Sequence, residues 1–164
     1  MGEYPQIGLH FPLFSDEVPH EQKPAAFAQW VSSHFAAPPA ELTHDALRAC
    51  AVLPTRVPTV AMLTPDELAS TFEPGVIDRS GRILWCMGLV GVLKGYMRRA
   101  LLDADAILPN VDVVALWCDQ SVWLCVWSAQ VLADTLKEEP VAGGRKRRIN
   151  IVKLEGANHF VSVS

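Results

Sequence analysis

The clearest pattern along the chain lies in its last third. Val111-Asp112-Val113-Val114-Ala115-Leu116-Trp117 is a β-branched, apolar run following Pro109-Asn110, and it predicts a strand buried on both faces. Val122, Trp123, Val126, Trp127, Val131, Leu132 and Leu136 then recur with a helical period until Pro140 stops the helix. Ile149-Asn150-Ile151-Val152-Lys153-Leu154 predicts a second strand. Strand, helix and strand at this spacing make a crossover unit with the two strands parallel.

Upstream the grammar changes. Residues 1–65 hold most of the prolines and their apolar residues fall in short clusters, which predicts loops between short helices. After Pro38-Pro39, a turn leads into a helix in which Leu42, Ala46 and Ala49 share a face. Thr64-Pro65-Asp66-Glu67 predicts a helix start: threonine caps, proline suits the first helical position, and glutamate stands three residues after the cap. From Arg82 to Leu102, Ile83, Leu84, Met87, Val90, Val92, Leu93, Met97, Leu101 and Leu102 return at helical spacing. Gly88, Gly91 and Gly95 weaken that helix by about 1 kcal/mol each relative to alanine, which predicts close packing or a bend. Only Pro58–Leu63 offers another strand, so the expected sheet is small and incomplete.

Composition narrows the function classes. The 164 residues are 50% hydrophobic with a formal net charge of -4, enough apolar material for a single core and no general attraction to nucleic acid or an anionic membrane. The basic run Arg145-Lys146-Arg147-Arg148 reads as a solvated loop entering the second strand. Cys50, Cys86, Cys118 and Cys125 form no CxxC pair and sit among apolar neighbours, as buried thiols of a reducing compartment do. Met1–Pro5 lacks the pattern of a signal peptide and no stretch approaches a membrane span, so a cytoplasmic location is expected. His10, His20, His34 and His44 lie about ten residues apart, not at the spacing that brings two imidazoles to one metal. Trp117, Trp123 and Trp127 are expected in the core before any pocket.

Candidate chemistry follows the second strand, in Glu155-Gly156-Ala157-Asn158-His159-Phe160. A strand followed by a short glycine-containing turn ending in Asn-His-Phe resembles the closing segment of α/β-hydrolases, and the resemblance implies that His159 is the general base of a nucleophile–acid–histidine set. The first strand's end, Leu116-Trp117-Cys118-Asp119-Gln120-Ser121, resembles the family segment in which a strand ends in Trp-Gly-Asp-x-Asp. Asp119 is then the candidate acid, with Cys118 at the family's glycine and Ser121 at its later aspartate. Asp112 and Glu155 are the competing carboxylates, Asp112 the weaker because it sits inside the strand. The resemblance covers about residues 107–161.

The family's nucleophile stands on a Gly-x-Ser-x-Gly elbow, and the chain has none. The resemblance therefore implies an α/β fold with a partial hydrolase-like parallel sheet formed by the last two strands. Residues 1–106 would be a helical cap-like region and 107–164 the end of the core. The expectation is a truncated or diverged hydrolase-like protein whose ancestral reaction is hydrolysis of an ester or related bond on a small molecule, inactive alone. Such chemistry needs no cofactor. The competing expectation is a non-catalytic interaction protein that completes its sheet with a partner or a second copy.

Overall fold

The computed structural model describes residues 11–39, 42–73, 75, 76, 79, 90–103, 105, 107, 110–137 and 147–160. Within them, α1 (Lys23–Val31), α2 (His44–Ala49), α3 (Pro65–Thr71) and α4 (Val90–Met97) precede β1 (Val113–Cys118), α5 (Trp123–Lys137) and β2 (Ile149–Leu154). β1 and β2 are parallel neighbours in register, Val113 beside Ile149 and Cys118 beside Leu154. The protein is thus a mixed helical and parallel-strand chain of the α/β kind. The crossover helix α5 packs on β1.

The first strand departs from its expected burial. Val113, Ala115 and Trp117 are half-buried on one face, but Val114 and Leu116 on the other are 56% and 61% exposed. An apolar run marks a strand; it does not say how many layers cover it. The Pro58–Leu63 run is no strand either. Thr59–Met62 forms a short 3-10 turn directly after Pro58, whose missing N–H suits a turn better than a ladder.

Local signals upstream hold where the chemistry is local. Thr64 and Glu67 form the expected reciprocal capping box, with Pro65 at the first helical position. α2 begins one residue after Thr43, whose hydroxyl accepts from Ala46 N, so Leu42 lies outside the helix. α4 continues as a wider π-type turn over Arg98–Leu102. Among the described residues its glycines meet no close approach: a Cβ added at Gly91 or Gly95 meets nothing, and Val92, Tyr96 and Met97 are exposed. The Gly88 part of that expectation, with Cys86 and His10, lies outside the described residues.

The core joins the beginning and end of the chain. Trp30, Val31 and Phe35 bury with Val122, and Phe11, Phe27, Trp123, Leu124, Cys125 and Phe160 pack around them. Phe11 and Phe35 both meet Trp30 edge-on, at centroid distances of 5.2 and 6.3 Å, a geometry that lets ring edges meet the electron-rich face. Residues from both sides of position 106 share this cluster. Each fully buried side chain of this size contributes about 1.5–3 kcal/mol.

Of the basic run, Arg145 and Lys146 lie outside the described residues, and Arg147 departs from the solvated-loop reading. It is 4% exposed, and its guanidinium donates to the carbonyl oxygens of Val111 (2.9 Å), Asp103 (3.3 Å) and Ile107. Its own backbone N–H donates to the Leu102 carbonyl at 2.9 Å. Arg147 therefore ties the entry to β2 to the segment entering β1. Five donors in a planar fork can gather several carbonyls from one irregular loop, whereas neighbouring Arg148 is exposed.

Candidate functional site at the carboxyl ends of the strands

Parallel strands end on the same side, so the segments leaving β1 and β2 meet. Asp119 N–H donates to the Leu154 carbonyl at 3.3 Å and Gln120 N–H to the Ala157 carbonyl at 3.1 Å. Gly156 adopts φ 71°, the left-handed region where a side chain is strained, and its N–H donates to Asp119 Oδ1 at 2.8 Å. Arg56 adds a bond to the Gly156 carbonyl at 3.3 Å.

Asn158 fixes this turn to the rest of the chain. It is 3% exposed, its amide donates to the Ser32 carbonyl and the Thr59 hydroxyl, both at 2.8 Å, and its oxygen accepts from Phe160 N–H at 2.9 Å. Phe35 N–H donates to the Gln120 carbonyl at 2.9 Å, so the α1 exit and both strand ends form one scaffold. The sequence offered Asn158 only as part of a motif. Its partners lie too far away along the chain to be read from spacing.

On this scaffold the structure brings Asp119 and His159 to the same edge but does not join them. The Asp119 carboxylate is engaged with the turn, and the His159 ring meets Cys125 Sγ at 3.4 Å through Nδ1 and the Phe160 ring edge-on at 5.5 Å. Glu155 pairs with Lys153 at 2.9 Å. Asp112 precedes the opposite end of β1. Among the described residues no carboxylate bonds the imidazole.

Cys125 is the residue that sequence reasoning passed over as a buried thiol. It stands in the first turn of α5, four residues after Ser121, and that placement after a strand end was its only local signal. Burial holds the Cys125 thiol above its ordinary range, an effect the Ser121 hydroxyl offsets in part. Burial also lowers the His159 imidazole. Both shifts favour a neutral thiol beside a neutral ring at neutral pH, and in the tautomer that carries its proton on Nε2 the ring offers Nδ1 as acceptor for the thiol proton. The Cys118 thiol is raised too, by burial and then by Cys125 and Asp119.

Cys50, Cys118 and Cys125 are all free. Among the described residues no group of three metal-ligating side chains converges, and no helix is long and apolar enough to cross a membrane. Comparison with protein-family models, curated proteins and solved structures finds no match to this chain.

Proposed function

We propose that the chain is α/β-hydrolase-like in its strand–helix–strand unit and histidine turn, a lineage whose reaction is hydrolysis of an ester or related bond, and that it does not itself turn such substrates over. The observation that carries this reading is the pairing around the imidazole: Nδ1 meets the Cys125 thiol, and the Asp119 carboxylate is taken by Gly156 N–H. A histidine cycling between base and acid gains from a carboxylate that fixes its tautomer and stabilises its cationic form. His159 has neither from Asp119.

Turnover of a short-chain aryl ester is the test, run at several protein concentrations with His159→Ala alongside. The expected result is no steady-state release above the variant. Release that scales with protein and disappears in His159→Ala would sink the reading.

A second reading, association through the sheet with another copy, is favoured by the exposure of Val114 and Leu116 on one sheet face. Paired apolar strands left open to water are covered readily by another chain. Sedimentation across micromolar concentrations should then show a dimer that Leu116→Lys dissociates. A monomer throughout, in both proteins, excludes this reading.

A further inference from the structure

The Cys125–His159 pair sits where ligands enter parallel α/β folds, at the carboxyl ends of the strands, and the non-hydrolytic reading leaves it without a task. Three observations bear on it. The sulfur lies 3.4 Å from Nδ1, within the range for a thiol donating to a ring nitrogen. The His159 side is open to solvent while the sulfur is half-buried, so a small molecule approaches the pair from one side. The Ser121 hydroxyl, 3% exposed and close enough to the same sulfur to lower its pKa, has no hydrogen-bond partner among the described residues. A buried hydroxyl without a firm partner is costly unless something supplies one, and it stands beside the reacting atom.

We propose that Cys125 is a covalent capture site for small activated acyl groups, esters or thioesters with a good leaving group, with His159 as its general base. The inference rests on the reading that the chain does not turn such esters over. The sulfur lone pair attacks the acyl carbon as the S–H proton passes to His159 Nδ1. The carbon–oxygen (or carbon–sulfur) bond to the leaving group breaks with its electron pair. The departing phenolate or thiolate takes the proton from the imidazolium, which restores the neutral ring. The products are a Cys125 thioester and a free phenol or thiol, and no oxidant, water or cofactor is consumed. With no carboxylate behind His159 to support a second cycle, the thioester persists.

The experiment is intact-protein and peptide mass spectrometry after exposure to a p-nitrophenyl acyl ester, with nitrophenol release followed in parallel. Cys50, also free and held above its ordinary range by burial, is the internal reference. The expected result is release of one equivalent without further turnover, one acyl group on Cys125, and acylation there at least tenfold faster than at Cys50. General-base assistance by a positioned side chain is worth about a hundredfold or more, so His159→Gln should bring the two rates within a few-fold. Cys125→Ser should remove the burst. Unmodified Cys125, or a Cys125-to-Cys50 ratio that His159→Gln leaves unchanged, overturns the proposal but leaves the non-hydrolytic reading standing. Continued His159-dependent release overturns that reading instead, and Cys125→Ser then decides whether the sulfur is the nucleophile. Because Cys50 is read in the same molecule, a variant that merely loosens the fold raises both rates and is told apart from loss of the base.

Discussion

Replacing Arg147 by alanine should lower the unfolding free energy by about 3 kcal/mol, and replacing its exposed neighbour Arg148 should change it by less than about 0.5 kcal/mol. The contrast follows from where the two guanidinium groups go. Arg147 alone reaches the carbonyls of Val111, Asp103 and Ile107. Truncation leaves three part-buried carbonyl oxygens without the guanidinium, at a cost of about 1–3 kcal/mol for each that water does not reach. Lysine should recover only part of the loss, because an ammonium on a flexible stem cannot span the three acceptors as a fork does. Urea unfolding of the three variants measures this. Equal midpoints for the Arg147 and Arg148 variants would mean that the carbonyl cluster contributes nothing.

Asn158→Ala is expected to cost about 2–4 kcal/mol, because three hydrogen bonds vanish from a fully enclosed position. Asn158→Asp should be no milder at neutral pH. A carboxylate can still accept from Phe160 N–H and from the Thr59 hydroxyl, but it sets a negative oxygen against the Ser32 carbonyl, which can only accept. The chemical readout is separate from the stability readout: with the turn loosened, the 3.4 Å approach of His159 to Cys125 should be lost, and acylation of Cys125 should no longer depend on His159. If Asn158→Ala unfolds at the wild-type midpoint, the turn is held by something other than this amide.

What could be read from the sequence divides according to the range of the interaction. Both strands, the helix between them and the Thr64–Glu67 capping box depend on residues within a few positions of each other, and β2 runs over Ile149–Leu154 as its β-branched pattern indicates. Parallel pairing followed from the length of the crossover. Burial did not follow: Leu116 is apolar by composition and exposed by architecture, because covering layers come from elsewhere in the fold. The basic run misled at Arg147 for the complementary reason. One of its cations meets carbonyls around forty residues upstream, and charge patterning sees only neighbours.

The candidate site shows the same division. His159 and Asp119 were legible as strand-end residues, and the structure does place both at that edge. Their separation was not legible: the Asp119 carboxylate accepts from the Gly156 N–H, a contact across 37 positions that no local spacing announces. Cys125 was hidden by a true generalisation, that cysteines among apolar residues pack as small hydrophobes. What distinguishes it is its position in the first helical turn beyond a strand end, opposite the turn that carries the histidine.

The bonds from Asn158 to Ser32 and Thr59 close spans of 126 and 99 positions, and this has a kinetic consequence. Closing loops of that length comes at an entropic cost that grows only slowly with length but must be met before the contacts return anything, so such contacts form late. As the chain is synthesised, Trp30, Val31 and Phe35 must wait for Val122 and Phe160 to emerge before their shared core can close. During that interval the aromatic surface of the first helix is uncovered, and it is then that the chain is most open to chaperones and to aggregation.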